Sequence, residues 1–425
     1  MRTLVMPLGL AAALLSPAAL AQGAAPSSMP AQATPQAPWA AAEPAGALTL
    51  DAALALADAR NFTLSAAGRE LDAAEGGIMQ ARAIPNPEVA VLFEDHRRDT
   101  RTTTAQINLP IELGGKRAAR IGAAQKAREL AQSRLGAART DLRAAVIGGF
   151  FGVVIAQERL RLARGSAEIA AKGAQAAARR VAAGKIAPLE ESKARVEQAN
   201  AGLEVADAEA ALAAARLSLA SLWGSGEARF SEAAGNLDTL PARPDAPSLM
   251  QALDSAPELL SSRLELERRQ AVIGVERSRQ YPDLTLSLGS KRDNGSERGT
   301  MPVVGVALPL PLFDRNQGNL YAAARQADKA ADEYRATQVR LSGELQQAAQ
   351  QLTVSRTSAE TLRGTVLPAA QQAYEAATRG FEAGKFNFLD VLDAQRTWFQ
   401  ARARYLGVVA SAYQAATTID RILGR

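Results

Sequence analysis

Residues 102–113 read TTTAQINLPIEL, and their alternation decides the fold. Ala105, Ile107, Leu109, Ile111 and Leu113 fall on one side of an extended chain; Thr104, Gln106, Asn108 and Glu112 fall on the other. A period of two over this length predicts a strand with one apolar and one polar face. Just upstream, 88–95 alternates in the same way, with Val89, Val91 and Phe93 opposite Ala90, Leu92 and Glu94. The polar stretch 95–101 makes the pair a hairpin. Two later segments, about 283–291 and 301–312, repeat the pattern. Leu284, Leu286 and Leu288 oppose Asp283, Thr285 and Ser287, while Val304, Val306, Leu308, Leu310 and Leu312 oppose Gly305 and Ala307. Their link, 292–300, contains the turn-forming run Asp293-Asn294-Gly295.

The second hairpin is one sign of a tandem repeat. Gly184-Lys185-Ile186-Ala187-Pro188-Leu189-Glu190 aligns with Gly384-Lys385-Phe386-Asn387-Phe388-Leu389-Asp390 at an offset of 200. Leu222-Trp223-Gly224 aligns with Ile422-Leu423-Gly424 at the same offset, and Pro110 with Pro309 at 199. With Pro87-Glu88-Val89 and Pro282-Asp283-Leu284 at an offset of 195, four matches in one order at a nearly constant offset mark a duplication. The repeats run over 49–224 and 247–425. The stretch 225–246 between them, with Pro241 and Pro244, reads as a linker.

Strands of about 10 residues with one apolar face fit a transmembrane β-barrel. A soluble sandwich could also alternate, but four strands among so much helix make a poor one. Two hairpins cannot close a barrel, and hydrocarbon tolerates no open sheet edge. If these strands span a membrane, several chains must therefore share one barrel.

The remainder of each repeat is helical: short helices over about 51–59 and 62–84 before the first hairpin, and long ones after each hairpin, about 116–182, 189–222 and 316–382. The span 116–182 contains no proline and would extend roughly 100 Å. Apolar and small residues recur at a 4-3 spacing through Leu341, Leu345, Ala348, Leu352, Ser355, Ala359, Leu362, Val366, Ala369, Ala373 and Ala376. Sevens recur at Val146, Val153, Leu160, Ala167, Ala174 and Val181. This is coiled-coil periodicity, and its alanines suit close helix approach. Pro368 is expected to kink or locally interrupt its helix.

The N-terminus reads as a targeting segment. Arg2, the apolar run from Leu4 to Leu15 and Ala19-Leu20-Ala21 make 1–21 a secretory signal peptide. Residues 22–48, rich in Ala, Pro and Gln, read as a flexible extension. Beyond the leader, no run of about 18 consecutive apolar residues occurs. The chain of 425 residues has 0 Cys and 1 His, which excludes disulfide scaffolds, zinc fingers, iron–sulfur centres and thiol chemistry. Its formal charge of +5 would suit an anionic partner, but the charges are interspersed along helices, and export argues against nucleic acid.

With the duplicated helix–hairpin–helix–helix order and the two tip motifs, Val181-Ala182-Ala183-Gly184-Lys185 and Phe381-Glu382-Ala383-Gly384-Lys385, the chain resembles the TolC-like outer membrane factors of tripartite efflux systems. The run Gln106-Ile107-Asn108-Leu109-Pro110-Ile111-Glu112-Leu113-Gly114-Gly115-Lys116-Arg117 is similar to the heavy-metal branch, which serves cobalt–zinc–cadmium or nickel–cobalt resistance. The resemblance implies a mainly α fold with a small β part. Three copies would form a 12-stranded outer membrane β-barrel continued by a long periplasmic α-helical barrel. It implies a homotrimer working with a periplasmic membrane-fusion adaptor and a proton-driven inner-membrane pump of the resistance-nodulation-division type. The lipid-facing set would be Val89, Val91, Phe93, Ile107, Leu109, Ile111, Leu284, Leu286, Leu288, Val304, Val306 and Leu308. Gly184, Lys185, Gly384 and Lys385 would dock the adaptor. Asp390 and Asp393, one turn apart, would attract cations at the periplasmic entrance. Lys193 stands at the repeat-1 position matching Asp393, so the ring would come from repeat 2 alone. Phe386 stands where the family often has a basic residue that helps hold the entrance closed.

No catalytic constellation competes with this reading. Gly380-Phe381-Glu382-Ala383-Gly384-Lys385 has three residues between its last two glycines where a phosphate loop needs four, and Phe386 replaces Ser or Thr. His96, in a loop beside Asp95, is a lone histidine, and neither a cofactor nor a tight metal site is expected, since strong binding would oppose release. Two other readings stay open on sequence: a duct for drugs or secreted polypeptides, and a periplasmic coiled-coil scaffold without a pore.

Overall fold

The computed structural model describes residues 43–425 apart from 96 and 296–298. The expected signal peptide, most of the extension and His96 lie outside the described residues. The last part of the supposed flexible extension, 43–48, is instead packed. Glu43 accepts hydrogen bonds from Trp223 Nε1 (3.1 Å), Arg229 N (2.6 Å) and Phe230 N (3.2 Å). Strand β1 (Ala47–Leu48) follows, with Leu48 fully buried.

Helices α1 (Leu50–Arg60) and α2 (Phe62–Arg82) are separated by Asn61, which serves both. Its side-chain oxygen caps α2 by accepting from Leu64 N at 2.7 Å, and its amide donates to Leu222 O at 2.8 Å. That second bond ties the helix break to the end of the repeat. Strands β2 (Glu88–Glu94) and β3 (Thr102–Ile111) form the first hairpin, and α3 (Lys116–Ala182) runs 67 residues without interruption. Helix α4 (Pro188–Ser221) returns along it.

The linker is not a free tether. Strand β4 (Glu232–Ala233) pairs in parallel with β1, and Phe230 is buried beside Trp223. Farther on, Arg243 forms a bidentate ion pair with Asp420. The linker is fastened because its apolar and charged side chains find partners on the helices, which a count of prolines does not reveal. Helix α5 (Ala246–Gln251) and a short 3₁₀ turn lead into α6 (Pro257–Ser278), which starts with a proline, whose missing N–H would have had no partner in the first turn.

The second hairpin is β5 (Leu284–Asp293) and β6 (Gly299–Ala307). Both strands reach farther toward their loop than expected, whereas 308–312 leaves the sheet. Pro309 and Pro311 lack the N–H groups a ladder requires there, so Leu308, expected within the strand, lies just past its end. The first hairpin also stops slightly early, at Glu94 and Ile111. All four strands join one antiparallel sheet in the order β2-β3-β5-β6.

Helix α7 (Gln317–Thr361) ends in a π-helical turn, Leu362–Val366, followed by α8 (Leu367–Glu382). Pro368 supplies no N–H and its ring would collide with the carbonyl four residues back, so the ladder opens one turn ahead of it. A π turn accommodates an extra residue, and the buried face shifts accordingly. The expected stripe is buried from Leu341 through Leu362. Beyond the turn, Ala370, Ala377 and Phe381 are buried, while Val366, Ala369, Ala373 and Ala376 are exposed. The stripe has moved by one position. Helix α9 (Phe388–Leu423) completes the chain.

Two apolar cores anchor the repeats. Leu48, Leu56, Val146, Phe150, Val153, Leu219 and Trp223 form one; Leu249, Leu259, Leu341, Leu345, Leu352 and Ile419 form the other.

Candidate functional site

Three features carry functional geometry: the two-faced sheet, the helix turns at the far ends of α3 and α8, and the carboxylates beside the second turn. In the sheet, the register aligns apolar side chains across strands. Val89 lies opposite Ile107, Ile107 opposite Leu288, and Leu288 opposite Val304. All four are exposed, Val89 to 73% and Val304 to 72%. A second row is Leu109, Leu286 and Val306, and Ile111 lies opposite Leu284. Val91 and Phe93 extend the face on β2, and Leu308 is exposed beyond the end of β6. Apart from Leu308, the residues expected to face lipid therefore share one side of the sheet.

The other side is polar and internally bonded. Ser287 Oγ donates to Asn108 Oδ1 at 2.7 Å, and Gln106 Nε2 donates to the same oxygen at 3.1 Å. Nearer the loops, Lys291 Nζ lies 3.8 Å from Glu94. At the foot of the sheet Lys116 pairs with Asp283 at 2.7 Å, and Arg120 forms a bidentate pair with Glu112. These two pairs join sheet to helices. Sequence reasoning passed over them because their partners are 167 residues apart in one case. Among the described residues, strands β2 and β6 are the edges of this sheet, with one side of each unpaired.

The two turns are built alike. Lys185 N donates to Arg180 O at 2.8 Å and Gly184 N to Val181 O at 2.8 Å. In repeat 2, Lys385 N donates to Gly380 O at 2.8 Å and Gly384 N to Phe381 O at 3.0 Å. Both are left-handed helix caps, with φ of 67° at Gly184 and 71° at Gly384. A side chain at either glycine would enter open space, so the constraint is conformational. Gly380-Phe381-Glu382-Ala383-Gly384-Lys385 thus closes a helix, as its spacing implied.

The turns lie together. Ala174 and Ala177 of α3, Ala194 of α4, Ala377 and Phe381 of α8 and Val391 of α9 form one buried cluster. The Arg180 guanidinium sits 3.7 Å from the centre of the Phe381 ring, and Arg396 pairs with Glu197 at 3.0 Å across repeats. Phe386 packs its ring against Gly380, where a Cβ would come within 2.1 Å of it. An apolar contact thus holds the second turn.

The two carboxylates beside the second turn, expected at the entrance, differ from one another. Asp390 is engaged in a capping box: Asn387 Oδ1 accepts from Asp390 N at 2.9 Å, and Asp390 Oδ2 accepts from Asn387 N at 3.1 Å. Asp393 is exposed, one turn on, with no such bond. In repeat 1, Ala187 cannot cap, and Lys193 lies 3.8 Å from Glu190. Among the described residues, no three His, Cys, Asp or Glu gather as a metal site.

A two-faced sheet on long duplicated helices, with paired turns at their far ends, is the architecture of an outer membrane channel subunit. The outer membrane protein VceC of Vibrio cholerae has this fold with a TM-score of 0.74 at 20% identity, over 88% of this chain and 96% of that one. The chain belongs to the outer membrane efflux protein family, whose model matches residues 53–225 and again 249–425. It is 63% identical to the cobalt-zinc-cadmium resistance protein CzcC of Cupriavidus metallidurans over 426 residues, 100% of both chains. It is 35% identical to the nickel and cobalt resistance protein CnrC of the same bacterium over 298 residues, 69% of each.

Proposed function

We propose that this chain is the outer membrane duct of a tripartite efflux system and that its cargo is divalent heavy-metal cations: cobalt, zinc, cadmium or nickel. The four-stranded sheet with exposed apolar rows and two open edges carries the duct reading. In hydrocarbon each unpaired backbone group costs several kcal/mol, so β6 of one copy must meet β2 of the next. The strands alternate in direction along the sheet, so that junction is antiparallel like the others. Three copies give twelve strands and remove every edge. Helix α4 supports the same assembly: its exposed Leu189, Val196, Leu203 and Leu217 recur on a seven-residue spacing, a seam that a second helix would cover.

The full-length likeness to a cobalt-zinc-cadmium resistance protein supports the cargo. The duct does no chemistry of its own. A periplasmic adaptor would dock at the turns around Gly184, Lys185, Gly384 and Lys385, and a proton-driven inner-membrane pump would supply the energy. Asp393 and Asp390 from three copies would concentrate cations at the entrance by field focusing.

The test is metal extrusion from cells carrying a matched pump and adaptor and lacking their own duct. Cells supplied with this chain should lose preloaded cobalt, zinc or cadmium; Gly184→Asp and Gly384→Asp should abolish that loss while leaving the protein in the outer membrane. Extrusion of an organic drug but none of the metals would overturn the cargo.

A further inference from the structure

The outward face of the sheet changes character at its loop end. Its strand positions are Val89, Val91 and Phe93 on β2, the odd residues 103–111 on β3, the even residues 284–292 on β5 and the even residues 300–306 on β6. None is acidic, and Arg292 is the one ionisable side chain among them. Arg292 lies opposite Thr103 and Thr300, and Thr103 lies opposite Phe93. One residue before β3, Arg101 holds its guanidinium carbon 6.0 Å from the centre of the Phe93 ring. Both arginines are exposed, and among the described residues neither has a carboxylate partner. The polar face contrasts with this, since its Lys291 faces Glu94.

Arg292 is eight residues from Leu284, which is about 26 Å along a strand and about 20 Å along the normal for a strand tilted by about 40°. That rise is comparable with the apolar band of a membrane barrel, about 25 Å. The arginines therefore stand where hydrocarbon gives way to headgroups. We propose that Arg101 and Arg292, with the hydroxyls of Thr103 and Thr300, form a docking site for the phosphate groups of the anionic lipid in the outer leaflet. This inference rests on the reading of the sheet as a membrane barrel. A guanidinium presents a planar fork that matches phosphate oxygens, and it tolerates an aromatic neighbour because it is weakly hydrated. Phe93 and the rows beneath it would lie along the acyl chains of the same lipid, so charge and apolar area serve one ligand.

The experiment uses full-length protein, delipidated in mild detergent, and lipid A carrying both phosphates as the probe. Wild type should bind it, and Arg101→Ala with Arg292→Ala should weaken binding by about tenfold or more. Replacing both arginines by Lys should give an intermediate affinity, keeping the part due to charge and losing the part due to the planar fork. Dephosphorylated lipid A should bind wild type no better than intact lipid A binds the alanine pair. Equal affinity of wild type and the alanine pair would overturn the proposal, as would full displacement by an equal concentration of inorganic phosphate, which would point to a free-anion site. Membrane insertion of both proteins is measured in parallel. Failure of wild type to insert would sink the barrel reading, whereas equal insertion with equal lipid A binding would sink only the docking site.

Discussion

Asp390 and Asp393 occupy adjacent turns of one helix, yet their surroundings give them different work. Asp390 exchanges two hydrogen bonds with Asn387 and so helps start α9. Asp393 makes no such bond. Asp390→Ala should cost about 0.5–1 kcal/mol through the lost cap. Asp393→Asn should leave melting unchanged but reduce cation selectivity in planar bilayers at low salt, where screening is weakest. Unaltered selectivity in the Asp393 variant would put its carboxylate outside the conducting path. A second residue-scale expectation concerns Glu265 on α6. Hydrogen bonds from Arg268 and then Arg269, each at 2.7 Å, hold its carboxyl down to about 2 from an ordinary 4.5. A lowered folded-state value means stability that is present above about pH 4.5 and lost as pH falls toward about 2. The melting temperature of wild type should therefore exceed that of Glu265→Gln most above pH 5 and converge on it in acid. A constant gap across that range would show that the ion pairs add nothing to the titration.

At the scale of the element, the π turn at Leu362–Val366 sets the phase of everything that follows it. The turn contains one residue more than a regular helix needs. Deleting Gly364 together with Pro368→Ala should yield an unbroken α-helix that still buries Ala370, Ala377 and Phe381. The same operation on α3, deleting Gly165, removes a residue from a regular ladder and rotates Ala174 and Ala177 out of the cluster at the turns. Thermal unfolding and oligomer assembly should be near wild type in the first variant and clearly impaired in the second. Comparable damage in both would mean that the π turn does not absorb the extra residue. The heptad pattern up to Leu362 was legible in the sequence because each buried position is a local matter of helical phase. Beyond it, the phase depended on how the backbone yields ahead of Pro368, and 4-3 spacing through alanines fits either register. The hairpins were legible for a similar reason, since alternation fixes faces residue by residue. The packing of 43–48 and the linker was not, because Glu43 and Trp223 meet across 180 residues.

For the whole molecule, the decisive claim is that one face of the sheet meets hydrocarbon and the other meets water. Leu109 and Gln106 test it within a single strand, where neither choice of site confounds the fold. Leu109 lies opposite Leu286 in an exposed apolar row; Gln106 lies on the other face and donates to Asn108. In a soluble assembly, arginine at either position would be solvated and nearly neutral. In a barrel, Leu109→Arg puts a guanidinium among acyl chains, at a cost of roughly 2–4 kcal/mol near the midplane. Because three copies share each barrel, that cost is incurred three times per assembly, on the order of 6–12 kcal/mol, comparable with the entire stability of an ordinary domain. Gln106→Arg would instead face the aqueous lumen, where its loss is one side-chain hydrogen bond, about 1 kcal/mol. The outcome expected from outer membrane fractionation is thus a sharp split, with Leu109→Arg failing to form trimers and Gln106→Arg forming them normally. If both variants assembled equally well in the outer membrane, the apolar rows would have to face something other than lipid.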